Sequence, residues 1–210
     1  PASARARVPV PSATPKPAHL AGSSKDAQTS LEIYFPAPAG IDDEHAARLL
    51  LAVLLQQKLD VVRERLGASY GVQIAHESRV GPGLLHIYGE LVPARAGAAL
   101  AAVLESIATF DQTEDFLSNF VRARRALLQQ LLLRGSDVLE YELAFVARHR
   151  LPVNYFDELA KRVASLRPDD VRRAAREVAP QNRVILLRGR RDYVTAAYAH
   201  AGISNVQWIR

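Results

Sequence analysis

Arg63 and Tyr70 are the side chains whose types and spacing best suit hydrogen bonding to a ligand. A guanidinium carries several N–H donors in a planar fork and stays protonated at any working pH. A phenol donates its O–H to a carbonyl oxygen or to an oxyanion. Such a pair can hold a peptide backbone but cannot cleave one. Both residues also suit structural roles, Arg63 in an ion pair with Glu64 or another acid and Tyr70 as a packed strand aromatic.

The histidines show no spacing typical of a catalytic metal site. Residues 41–45 read Ile-Asp-Asp-Glu-His, which matches the end of a His-x-x-Glu-His motif but places Ile41 at the first ligand position. An aliphatic side chain has no lone pair for zinc, so this motif is broken. His76 fails as the start of a His-Glu-x-x-His motif because position 80 is Val80. The other histidines are scattered along the chain: His19, His86, His149 and His200. We therefore expect no metal on this chain.

Composition excludes several classes of protein. The chain has 210 residues, 49% of them apolar, and no cysteine, so it can form one sizeable core without disulfides or thiolate metal sites. No apolar run reaches the roughly 18 residues of a membrane span. The net charge of +5 is compatible with nucleic-acid binding, but the arginines alternate with acids along predicted helices, which favours solvated helix surfaces. Bacterial cytoplasm and periplasm both fit, and we slightly favour the periplasm.

Around the candidate residues, hydrophobic periodicity predicts one domain over residues 29–210. The proline-, alanine- and serine-rich residues 1–28 are typical of a linker. A strand is predicted at 31–35, a helix at 43–59, and a short second helix around Arg63 that ends at Gly67.

The rest of the domain is predicted to contain a hairpin followed mainly by helices. Strands at 70–75 and 84–91 form the hairpin around a Gly-Pro-Gly turn. The long helix at 114–134 is expected to turn six apolar side chains inward: Leu117, Phe120, Val121, Leu128, Leu131 and Leu132. This order indicates an α+β fold, in which helices cover one face of an antiparallel sheet. Further segments complete the prediction: a helix after Pro93, helices at 136–149, 154–163, 168–178 and 192–200, and a strand at 184–187.

Three stretches together resemble one protein family. They are the opening strand and its leucine-rich helix (31–38 onward), the run Val-Arg-Glu-Arg-Leu-Gly-Ala-Ser-Tyr-Gly-Val at 62–72, and residues 166–178 with the strand at 184–187. In order and spacing they resemble the C-terminal, non-zinc ("inactive") domain of pitrilysin/insulinase-type M16 zinc peptidases, most like the M16B group. The resemblance covers about residues 29–192.

This resemblance implies a function for the pair. In that family two homologous domains of the LuxS-type metallohydrolase-like fold face each other across a closed chamber, and zinc is bound by a His-x-x-Glu-His motif on the N-terminal domain. The resemblance implies that Arg63 and Tyr70 hold an extended peptide substrate near zinc on a partner domain or subunit. This chain alone is then expected to be an inactive part of a metalloendopeptidase.

Two other functions stay open at this stage. A scaffold or assembly protein with the M16 fold would have no proteolytic partner, although it would have no need of Arg63 and Tyr70. Nucleic-acid binding through the arginines at 122–125 and 172–176 lacks any recognisable binding motif and ranks last. For the isolated domain, a homodimer is a further assembly to consider.

Overall fold

The computed structural model describes residues 18–64, 67–133, 136–176 and 183–209, without the side chains of 61–64, 70 and 136–137. In this part of the chain a six-stranded sheet packs against helices. No helix there has the length and apolar character needed to cross a bilayer. The strands are β1 Ala18–Ser23, β2 Thr29–Ala37, β3 Ser69–Glu77, β4 Gly83–Leu91, β5 Val184–Gly189 and β6 Gln207–Ile209. The helices are α1 His45–Glu64, α2 Ala96–Ala108, α3 Phe116–Leu132, α4 Ser136–His149, α5 Tyr155–Ser165, α6 Pro168–Ala175 and α7 Arg191–His200.

The strand order is β3-β4-β2-β5-β1-β6. The first four strands are antiparallel, including the predicted β3–β4 hairpin, whereas β1 runs parallel to both β5 and β6. The predicted α+β class is confirmed, and the sheet is mixed rather than purely antiparallel.

β1 lies inside the stretch that the sequence predicted as a linker. The remainder of that stretch up to residue 17 is outside the described residues. The strand reads Ala-His-Leu-Ala-Gly-Ser, which has too few large apolar residues to show a strand pattern. It is held by backbone pairing on both sides, because Leu20 is opposite Leu186 of β5 and Gln207 of β6. A strand of this kind is specified by its neighbours and not by its own sequence.

The core forms where alternate strand residues meet the helices. Leu31, Ile33 and Phe35 of β2 are 0–1% exposed, while Glu32 and Tyr34 between them lie partly exposed on the opposite face. This is the period-two pattern that the sequence predicted for the strand. Helix α1 covers the buried face with five leucines: Leu50, Leu51, Leu54, Leu55 and Leu59.

Helix α1 is one continuous helix of 20 residues, so the prediction of two helices in this region is wrong. The buried Leu54, Leu55 and Leu59 continue the helical period to the predicted break and remove any reason for the helix to stop there. At its start, the backbone N–H of Glu44 donates to Asp42 Oδ1 at 3.1 Å, as expected for an acid just before a helix.

Helix α3 buries only part of the predicted face. Phe120 is buried, and Leu128 and Leu131 pack partly buried against the core, as predicted. Leu117, Val121 and Leu132, which were also expected to point inward, are 54–65% exposed. The buried stripe follows spacings of four, three and four residues and consists of Phe116, Phe120, Ala123 and Leu127. The helix packs against α1 and α5, so its buried stripe is the one that faces them.

Candidate functional site

Arg63 and Tyr70 lie close together in the chain path at one side of the sheet. Arg63 belongs to the last turn of α1, and Tyr70 is the second residue of β3, the outermost strand of the described sheet. Their side chains are outside the described part of the structure. The backbone therefore places both candidate residues beside the same sheet edge, and what their side chains contact stays a prediction.

Tyr70 occupies an irregular position in β3. Ser69 is opposite Leu91 and Gly71 is opposite Glu90, so Tyr70 is the extra residue of a β-bulge. Bulges bend a strand and re-aim a side chain, and they are frequent beside functional sites.

Two glycines allow the chain to follow this path. A Cβ on Gly89 would lie 2.5 Å from the carbonyl oxygen of Gly71, so the strand opposite the bulge cannot carry a side chain there. Gly67, predicted to end the helix before β3, has a φ of +51°, which favours glycine over other residues. Its carbonyl oxygen accepts a hydrogen bond from Arg95 Nη1 at 3.4 Å.

Among the described residues, Gln56 of α1 hydrogen-bonds the outer edge of β3. Gln56 Nε2 donates to the carbonyl oxygen of Val72 at 2.9 Å, and the backbone N–H of Ile74 donates to Gln56 Oε1 at 3.0 Å. Nε2 also donates to Asp60 Oδ1 at 3.2 Å. Because alternate residues of a strand point their backbone groups to opposite sides, Val72 and Ile74 use groups that face away from β4. The Gln56 amide thus sits where a further strand would pair.

At the other end of β3, the partly buried His76 contacts the buried His45, the first residue of α1. The rings of His45 and His76 are 5.4 Å apart, and Ser78 Oγ lies 3.1 Å and 3.4 Å from their respective Nδ1 atoms. Burial lowers the pKa of His45 to about 3 and that of His76 to about 4. The nearby guanidinium of Arg48 contributes to both shifts. Both imidazoles are therefore neutral at physiological pH.

Residues 41–45, the near match to a zinc motif, have other partners. Arg173 Nε donates to Glu44 Oε1 at 2.8 Å, and His45 is 4% exposed in its contact with Ser78. Arg48 donates to both carboxylate oxygens of Asp42, at 2.6 and 2.8 Å, which lowers the pKa of that carboxyl. Among the described residues no three His, Cys, Asp or Glu side chains converge on a point that could hold a metal ion. These residues do not fit a zinc site.

Sequence reasoning did not single out Gln56, the histidine pair or Ser78. The one visible signal is that Gln56 and Gln57 interrupt an apolar stretch of α1 between Leu55 and Leu59. A polar residue at that place in a buried helix needs a hydrogen-bond partner. That this partner is a strand backbone follows only from the fold.

Solved structures share this fold. An M16 inactive-domain structure from Pseudomonas fluorescens matches 88% of this chain, with a TM-score of 0.72 and 22% identity. A variant of the ferredoxin protease FusC, in complex with ferredoxin from Arabidopsis, matches 83% with a TM-score of 0.64 and 14% identity. An M16-like peptidase from Alicyclobacillus acidocaldarius matches 81% with a TM-score of 0.67 and 11% identity. The chain spans 46%, 20% and 43% of these three structures, less than half of each.

The fold is that of domains found in M16 peptidases. The model of the peptidase M16 inactive domain matches residues 2–127, more than half of the chain. The chain therefore belongs to the M16 inactive-domain family. A comparison with curated protein sequences found no match.

Proposed function

We propose that this chain is the non-metal half of an M16-type zinc metalloendopeptidase, which binds an extended peptide and presents it to zinc on a partner. The observation that carries the proposal is the placement of Arg63 and Tyr70 beside one strand edge, within a domain of the M16 inactive family. Arg63 holds a backbone carbonyl of the peptide. Tyr70 donates its O–H to the scissile carbonyl as negative charge develops on it.

The partner in this proposal is a homologous domain or subunit that carries the His-x-x-Glu-His motif and its zinc. The lengths of the similar structures support a partner domain, since these structures are at least about twice as long as this chain. Exposed apolar side chains also support it, because large exposed apolar residues are frequent at interfaces. They are found on α3, at the residue that follows it and on α4: Leu117, Val121, Leu132, Leu133, Leu139 and Leu143.

The first test measures cleavage of a flexible, unstructured peptide by this chain mixed with its zinc-bearing partner. Arg63→Ala and Tyr70→Phe should each lower kcat/KM by about 100- to 1,000-fold, the usual effect of losing a donor aimed at a developing oxyanion. Matched controls are Arg191→Ala and Tyr193→Phe, which remove the same groups from α7, a helix that in the described part of the chain packs beside β1 and β5 and not beside β3, and should leave kcat/KM unchanged.

Two outcomes would contradict the proposal. If both site variants cleave as well as the parent chain, Arg63 and Tyr70 are structural and the scaffold function replaces this one. If the isolated chain cleaves peptide in a chelator-sensitive way, the chain is not the non-metal half.

A further inference from the structure

The outer edge of β3 contains an internal substitute for a bound peptide. A carboxamide has the same donor and acceptor as a peptide group, and the Gln56 carboxamide uses both on backbone groups two residues apart. A neighbouring strand would use the same two groups of Val72 and Ile74. The orientation of the amide follows from its partners, because the Ile74 N–H requires an acceptor and the Val72 carbonyl a donor.

The edge has few of the features that prevent strand addition. It is nine residues long, and Ser69–Glu77 contains neither proline nor lysine, two residue types that commonly protect edges. Every second residue of a strand points its backbone groups to the same side, so those of His76 face the same side as those of Val72 and Ile74. The bulge at Tyr70 ends the regular ladder at the other end. A regular acceptor segment therefore runs from Val72 to His76, and Gln56 contacts its first half.

Gln56 can be displaced more easily than a strand could. It is partly exposed, and its contact with β3 depends on one side chain whose carboxamide is also oriented by Asp60. A peptide backbone that replaces it would exchange hydrogen bonds of the same type, so displacement costs little net free energy.

We propose that the outer edge of β3 is a strand-acceptor site for the backbone of an extended peptide, and that Gln56 is its built-in competitor. This inference rests on the peptide-binding role proposed above and adds where the backbone pairs and what holds the site closed. Peptide binding releases Gln56 from Val72 and Ile74 and adds a seventh strand. Because the added strand follows β3, it leads the peptide toward the bulge that carries Tyr70.

The test uses the chain alone, without a zinc-bearing partner, and a fluorescein-labelled peptide of alternating threonine and valine with a lysine at each end. Fluorescence anisotropy gives the affinity, and hydrogen exchange followed by NMR gives the protection of the Ile74 amide. Gln56→Ala should bind the peptide about tenfold more tightly, since the competing hydrogen bonds are gone. In that variant the Ile74 amide should exchange faster, and added peptide should restore its protection.

Two further variants keep the result interpretable. Gln56→Glu keeps the size and the acceptor but loses the donor to Val72, and its charge is repelled by Asp60. It should bind peptide with an affinity between those of wild type and Gln56→Ala. Gln130→Ala removes an exposed helical glutamine on α3 and should change neither measurement. A peptide N-methylated at every residue cannot donate to the ladder from either edge and should bind Gln56→Ala no better than wild type.

The inference is overturned if Gln56→Ala accelerates Ile74 exchange without tighter peptide binding, or if the N-methylated peptide binds equally well. Concentration-dependent dimerisation of Gln56→Ala that excludes the peptide would assign the edge to a second copy of the chain and overturn it too. If peptide cleavage proved not to depend on Arg63 and Tyr70, the peptide-binding results would still stand. The two proposals therefore fail separately.

Discussion

Two side chains of this domain bind strand backbone, and they do so in opposite settings. Gln56 reaches the outer edge of β3, where water and other chains have access. Tyr198 of α7 is 2% exposed, and its hydroxyl lies 2.6 Å from the carbonyl oxygen of Leu20 in β1 and 3.2 Å from that of Ile185 in β5. Burial raises the pKa of Tyr198 well above its usual value, so the hydroxyl keeps its proton as a donor.

The difference separates a replaceable contact from a permanent one. A donor buried among strands has no substitute when it is lost, whereas at an edge water or a peptide can take its place. We infer that the β5–β1–β6 half of the sheet is built for stability, and that the β3–β4 half gives up some stability in exchange for accessibility.

Acid should destabilise the domain through the far end of β3. His45 and His76, with pKa values lowered to about 3 and about 4, are neutral when folded, while in the unfolded chain they titrate near the ordinary value of 6.5. Unfolding therefore takes up protons below about pH 6.5, and stability falls as pH decreases toward about 4. Between about pH 7.5 and 4.5 each histidine contributes about two pKa units at about 1.36 kcal/mol per unit, so we expect a loss on the order of 5 kcal/mol, measured by urea denaturation.

The charged groups around the pair do not reverse this direction. Arg48 lowers the pKa of both histidines, and His149 lowers that of His45. The Asp42 carboxylate raises both pKa values, but it is paired with Arg48, and burial outweighs it. The doubly substituted His45→Gln, His76→Gln chain should lose much less stability over the same pH range. An equally steep loss in that chain would show that other groups cause it.

Gly89→Ala and Gly97→Ala compare equal crowding in two places. A Cβ at Gly89 would lie 2.5 Å from Gly71 O in β3, and one at Gly97 would lie 2.7 Å from His200 Cβ in α7. Each clash should cost about 1–3 kcal/mol, reduced at Gly97 by about 1 kcal/mol of helix propensity. Only Gly89→Ala displaces the bulge that carries Tyr70, so it alone should lower peptide cleavage by the reconstituted enzyme. If both variants cleave peptide equally well, the bulge is not needed for the activity.

Tyr198→Phe and Gln56→Ala should differ in stability although each removes contacts with two backbone groups. The buried Tyr198 hydroxyl has no replacement, so Tyr198→Phe should cost about 1–2 kcal/mol. Water can satisfy Val72 and Ile74, and alanine favours the helix, so Gln56→Ala should cost less than about 0.5 kcal/mol. Thermal unfolding of the two variants beside the parent chain checks the order. If Gln56→Ala cost more stability than Tyr198→Phe, the proposed contrast between the two halves of the sheet would be wrong.

Local patterns in the sequence predicted much of this domain, because alternation and helical period act over a few residues. β2, the β3–β4 hairpin and the helix order were found in that way, and the order and spacing of three such segments indicated the family. Non-local features were not predicted. β1 depends on strands more than 160 residues away, and Gln56 depends on a strand 16 residues further on. The face of α3 was predicted only in part for the same reason, since the helix packs against α1 and α5, which are distant in the sequence.

The position of β1 in the sheet also has a consequence for how the chain folds. β1 pairs with β5 and β6, so Ala18 can pair only after Val184 has been synthesised, and Leu20 can pair with β6 only after Gln207 has been synthesised. Contacts of such sequence separation are slow to form because a long loop must close first. During synthesis the β3–β4 hairpin and α1 can form early, while half of the sheet stays open until nearly the whole domain has left the ribosome. Until then the unpaired β2 edge is the place where this domain is most exposed to aggregation.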